Sequence, residues 1–199
     1  MLNRLTSMLV LSLILVGSGC SRTINDSDIK QNPHPKQRYE ITVTIDGAPG
    51  PFDSAVGFMG YEIANPDCVP QDPFSGARPA PHPSPAFNLV HISGDVYGGA
   101  LYLDLLQDGD YYGLGVCHWK MSDANIWLKV RDVTFTSYIS MSDLLAQKSV
   151  RVYFSKDSYV DTRSKDLFDS GMPKGREQYA VQHPEQFFSV SLFAKEAMQ

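Results

Sequence analysis

The sequence predicts an all-β protein, an antiparallel β-sandwich of about nine strands with two long loops and minimal helix. Three observations carry this expectation. Short runs alternate apolar and polar residues with period two, best seen in Tyr39–Ile45, where Tyr39, Ile41, Val43 and Ile45 oppose Glu40, Thr42 and Thr44. Turn signals such as Gly94-Asp95 and Asp108-Gly109-Asp110 separate these runs at close spacing. Only one segment, Ser142–Gln147, has the pattern of a helical turn opened by a serine cap.

In chain order, Asp46-Gly47 and Pro49-Gly50-Pro51 end the first strand, and Val56–Ile63 forms a second. Gly57 and Gly60 within it call for a bulge or a close backbone approach. Residues 64–86 hold seven of the 13 prolines, too many for a hydrogen-bonded ladder. This is the first long loop, and its alternating Pro79, Pro81, Pro83 and Pro85 suit a rigid extended spacer. Phe87–Ser93 and Val96–Leu105 form a hairpin around Gly94-Asp95. Tyr111–Lys120 is expected as the next strand, with Tyr112, Leu114 and Val116 on one face. Asn125–Asp132, Val133–Ile139 and Val150–Phe154 follow, and Ile126, Leu128 and Val130 share a face. Residues 155–183 form the second long polar loop, before a last strand at Phe187–Ala194 with Phe188, Val190 and Leu192 aligned.

The chain has 199 residues, 43% hydrophobic and 20% charged, with a net charge of −5. The acidic balance and the lack of any basic cluster argue against a nucleic-acid partner. Arg4 precedes an apolar run, Leu5–Gly19, of about 15 residues, shorter than the roughly 20 that a spanning helix needs. It ends in Val16-Gly17-Ser18-Gly19-Cys20, similar to a bacterial lipobox. Residues 1–19 are therefore expected to be a lipoprotein signal peptide and Cys20 the acylated first residue of the mature chain. A plain signal peptide or an uncleaved anchor is the competing reading. Removing residues 1–19 takes Arg4 away and leaves a net charge of −6, from 16 Lys+Arg against 22 Asp+Glu. Ser21 after the cysteine, in place of Asp, implies an outer-membrane address facing the periplasm. Residues 20–38 are polar and are expected to be a lipid-anchored flexible tether, and residues 39–199 a single domain.

With Cys20 lipidated, Cys68 and Cys117 are left to pair in an oxidising compartment, the alternative being two buried thiols. Such a bond would close a loop of about fifty residues and stabilise the fold by roughly 4 kcal/mol on the chain-entropy model. No catalytic signature is present: there is no G-x-S-x-G elbow, no H-E-x-x-H pair and no phosphate-binding glycine loop. His91 lies within a strand pattern and is expected to be a hydrogen-bonded sheet histidine. Asp104, Asp108 and Asp110 offer oxygen ligands for calcium, but their spacing is not that of an EF-hand and an Asp-Gly-Asp turn needs no metal. No cofactor or metal is therefore expected, and no enzymatic activity. The candidate partner-binding residues are Asp108, Asp110, Tyr111, Tyr112, His118 and Trp119. Tyrosine and tryptophan concentrate binding energy at interfaces, and nearby acids steer basic partners.

The lipobox, YEITVTIDGAPGPFDS, GYEIANPDCVP, LDLLQDGDYYGLGVCHW and the late VRVYF occur in one order. That order resembles a group of bacterial outer-membrane or periplasmic lipoproteins encoded beside type VI secretion effectors such as phospholipases. The resemblance covers most of residues 39–154 and transfers no binding residues. It implies immunity: a non-enzymatic lipoprotein that binds and neutralises a cognate toxin in the periplasm. The alternative is a structural or assembly lipoprotein of the envelope that binds a membrane-complex component or a glycan.

Overall fold

The computed structural model describes residues 24–197. The expected signal peptide, residues 1–19, and Cys20 lie outside the described residues. Nine strands are present among them: β1 (Arg38–Asp46), β2 (Ser54–Ile63), β3 (Ala86–Ser93), β4 (Val96–Tyr102), β5 (Trp119–Val130), β6 (Val133–Ser140), β7 (Val150–Ser155), β8 (Leu167–Asp169) and β9 (Phe187–Glu196). They form one sheet in the order β7-β9-β1-β4-β3-β2-β5-β6-β8. All pairs are antiparallel except β6 with β8. The all-β class is as expected. In detail the molecule is one mixed sheet curled into a nearly closed barrel, rather than two stacked antiparallel sheets.

The curl has identifiable causes. β3 changes partner part-way, pairing with β2 through Ala86–Asn88 and with β4 through Leu89–Ser93. A strand shared in this way makes a corner. A register shift at Gly60/Tyr61 bends β2 as well, the bulge that Gly60 suggested. Gly57 supplies the close approach. A Cβ there would stand 2.1 Å from Cζ of Phe87, whose ring occupies that space. At the opposite seam, Met172 N donates to the Tyr153 carbonyl at 2.8 Å. The segment 167–172 therefore joins β6, through β8, to β7 and nearly closes the barrel.

The core follows the alternation. Tyr39, Ile41, Val43 and Ile45 are buried, as are Ile126, Leu128 and Val130, and Phe188, Val190 and Leu192. At the end of the barrel where β1 finishes, Phe52, Phe135, Phe154, Tyr159 and Phe188 form an aromatic plug, with ring centroids 5.2–6.2 Å apart. At the other end, burial pushes the Tyr61 phenol well above its ordinary pKa, and the hydroxyl donates to the Tyr102 carbonyl.

The proline-rich loop keeps half a ladder. Pro85 and Pro83 carbonyls accept from Met59 N and Tyr61 N of β2 at 2.9 and 3.0 Å. Proline lacks only the donor, so it can still accept along an edge. Three expectations need correction here. The N-cap of helix α1 (Met141–Leu145) is Ser140, whose Oγ accepts from Asp143 N, so the helix starts one residue early and ends two residues short. The polar stretch 155–183 contains α2 (Lys156–Val160), β8 and α3 (Glu177–Gln182), each too short for a periodic signal.

The third concerns the stretch expected to be a flexible tether. Over its described part it is docked along residues 103–107. Ile24 is buried, and Asn32 N donates to the Leu105 carbonyl at 2.7 Å. Gln107 N donates back to the Lys30 carbonyl at 2.9 Å, and Leu103 N to that of Gln37 at 2.9 Å. The Asp104 carboxylate accepts from Lys36 N and Gln37 N at 2.9 and 3.0 Å. Partners for these polar groups, 67 to 72 residues away in the case of Asp104, could not be seen in a sequence that lacks apolar periodicity.

Gly171 sits at the seam with φ +75, and a Cβ there would lie 2.4 Å from Val152 Cγ1 and 2.8 Å from the Tyr153 carbonyl oxygen. Gly171→Ala is expected to cost about 2–3 kcal/mol of unfolding free energy in a urea titration, while Gly175→Ala, with open space around its Cβ, should cost less.

Candidate partner-binding surface

The expected strand at Tyr111–Lys120 is a loop except for its last two residues, where β5 begins. Gly113 (φ 77) and Gly115 (φ 107) occupy the left-handed region, which no strand tolerates. The excursion starts from a narrow neck. Cys117 N donates to the Gly109 carbonyl at 2.9 Å, and Gly109 N to that of Cys117 at 3.2 Å.

Three aspartates hold this region, and each serves a different set of amides. Asp104 fixes the N-terminal segment as described. Asp108 Oδ1 accepts from Trp119 N at 2.9 Å, and its Oδ2 contacts His118 Nδ1 at 2.6 Å. Asp110 Oδ1 accepts from Gly113 N at 2.7 Å and Gly115 N at 3.3 Å, which sets the left-handed turn. The carboxylates considered as calcium ligands are thus backbone acceptors, and among the described residues no group of three His, Cys, Asp or Glu is arranged to hold a metal ion.

Cys68 and Cys117 form a disulfide with Cα atoms 5.4 Å apart, joining the start of the proline-rich loop to the acidic loop. The bond is buried with Val69, and Ile63, Ala80, Tyr111 and Tyr112 pack around it. Asn65, which sequence reasoning passed over, braces the same point. Its Nδ2 donates to the Val116 carbonyl at 2.8 Å and its Oδ1 accepts from His118 N at 2.7 Å, so one amide grips both neighbours of Cys117. An Asn-Pro pair is a turn signal, and that is the only trace of this role in the sequence. Arg78 donates to the Val69 carbonyl and pairs with Asp67 at 3.5 Å, pinning the proline-rich loop from behind.

The predicted patch residues do come together, but not in the same state. Asp108, Asp110 and His118 are exposed, whereas Tyr111, Tyr112 and Trp119 are half-buried. Trp119 packs against the main core and meets Tyr111 edge-on at 6.0 Å. Its indole Nε1 is buried with no hydrogen-bond partner among the described residues. Tyr111 OH donates to the Gln107 carbonyl at 2.5 Å, and burial raises the Tyr112 phenol pKa. The side chains offered to solvent at the tip are instead Leu114 and Val116, 55% and 47% exposed, which the strand pattern had placed with Tyr112. A shallow groove lies at the neck of the loop, lined by Ile24, Asp28 and Lys30 from the N-terminal segment and by Asp108, Asp110 and Tyr111 from the loop.

Comparisons with protein-family models, curated proteins and solved structures found no match for this chain. No helix among the described residues is long and apolar enough to cross a membrane. His91, outside this surface, contacts the Gly94 carbonyl through Nε2 at 2.6 Å, the sheet-histidine role its strand position suggested.

Two expectations about stability follow from this packing. The double variant Cys68→Ser/Cys117→Ser should lose about 2–5 kcal/mol in denaturant unfolding. Trp119→Ala should cost about 3 kcal/mol because it empties a site against the core, while Leu114→Ala should shift thermal unfolding by less than that equivalent, since its side chain is exposed.

Proposed function

We propose that this chain is a non-enzymatic, lipid-anchored protein of the outer membrane's periplasmic side that binds and neutralises an antibacterial effector delivered by a type VI secretion system. The observation that carries the reading is the disulfide-locked acidic loop at residues 107–118, whose shape is set by Asp108, Asp110, Asn65 and the Cys68–Cys117 bond. A loop already ordered loses little conformational freedom on binding, which raises affinity without added contact area. Its exposed carboxylates favour a basic partner, and Leu114 and Val116 supply apolar contact. The disulfide suits an oxidising compartment, and the lipobox-like end at Cys20 suits membrane attachment.

The test is protection. A candidate effector, sought first among the genes next to this one, is directed to the periplasm of a sensitive host, with and without this protein. Survival is expected only when the full lipoprotein is present. Substituting the exposed Leu114→Asp and Val116→Asp together should abolish protection while leaving the amount of folded protein similar. Equal survival without the lipoprotein would rule the immunity reading out.

A further inference from the structure

The docked N-terminal segment fixes which way the protein faces its membrane. Cys20 stands four residues before Ile24, and four residues reach at most about 14 Å. Ile24 is buried on the barrel and lines the groove shared with Asp108, Asp110 and Tyr111. From there to β1 the chain is tied down through Gln31, Asn32, Lys36 and Gln37 to residues 103–107. A tether free from residue 20 to 38 would average about 23 Å and let the body tumble. Four residues keep the Ile24 end within about 14 Å of the anchor. The Gly94-Asp95 turn is at the far end of the barrel, because β4 runs seven residues, roughly 20 Å, from Val96 opposite Thr44 to Tyr102 opposite Arg38.

We infer that the barrel end carrying residues 103–118 is held at the lipid headgroup layer and that its partner is a basic protein working at that same surface. The inference rests on the lipid-anchored reading of Cys20 and deepens the proposed function by stating where the partner must be. A partner arriving through the open periplasm meets the aromatic-plugged end and the barrel sides. The groove and the acidic loop face a gap about as deep as four residues are long, roughly 14 Å. A protein seated on the bilayer reaches that gap by lateral diffusion. Basic surface on such a protein serves twice, at anionic headgroups and at the exposed Asp28, Asp108 and Asp110.

Energy transfer measures the orientation. The mature lipoprotein is placed in vesicles of phosphatidylethanolamine and phosphatidylglycerol that carry an acceptor dye on their headgroups. A donor dye is attached at Leu114→Cys or, in a separate sample, at Asp95→Cys, both positions being exposed. The closest approach to the headgroups should be shorter by about 20 Å for the 114 probe, the length of the strands between the two ends. A flexible Gly/Ser insert after Arg22, long enough to average about 19 Å, should erase that difference without altering thermal unfolding. Equal transfer from both positions in the uninterrupted chain, or a difference that survives the insert, would overturn the orientation. An effector that this lipoprotein neutralises should also float with bare vesicles of the same composition, and a neutralised effector that stays in solution would overturn the partner assignment. A chain that does not associate with vesicles and carries no acyl mass on Cys20 would remove the lipid-anchored reading, and this inference with it.

Discussion

One covalent bond determines how much of the loop end can be built at all. Residues 64–85 carry too many prolines to join a full ladder, and residues 103–118 contain glycines in left-handed conformation, so neither stretch can be ordered by sheet pairing alone. Cys68–Cys117 ties the two together and, with Val69, gives them a small apolar cluster of their own beside the main core. Around that fixed point the weaker interactions become worthwhile. Asn65 holds both flanks of Cys117 where the bond adds to the end of the β2–β5 ladder, at which Ile63 pairs with Trp119 and Ala64 N donates to the His118 carbonyl at 2.8 Å. The aspartates then close the remaining amides of the loop, at about 1 kcal/mol or somewhat more for each bond to a charged acceptor.

The barrel beneath provides a rigid platform by a separate route. Its wall is turned at β3, where one strand serves two neighbours, and closed at the β8 segment, where Met172 reaches β7. Both places depend on glycine. Phe87 fills the space above Gly57, and Gly171 accepts a left-handed conformation against Val152. The aromatic plug stiffens one end, and the loops and the N-terminal segment occupy the other. The division leaves the two ends chemically unlike, one packed with Phe52, Phe154 and Phe188, the other rimmed by carboxylates.

Some of this was legible from residue order. Alternation in Tyr39–Ile45 and Phe187–Ala194 identified the faces that are buried, because period two maps directly onto the two sides of a strand. The turn at Gly94-Asp95, the close approach at Gly57 and the pairing of Cys68 with Cys117 were likewise foreseeable. Tyr111–Lys120 failed for a physical reason: Tyr112, Leu114 and Val116 alternate as a strand would, but two intervening glycines relax the backbone and Asp110 captures their amides. The same error hid the exposure of Leu114 and Val116 and the packing of Trp119 against the core.

The sequence by itself determined the strand faces, the covalent staple and the acidic, aromatic character of the loop, since these follow from local periodicity, cysteine chemistry and composition. The tertiary structure alone decided that the sheet closes on itself, that Ile24 to Gln37 is docked, and that three aspartates serve three sets of backbone amides. The docking depends on partners 67 to 72 residues apart, between Asp104 and residues 32–37, and separations of that size leave no local pattern to read.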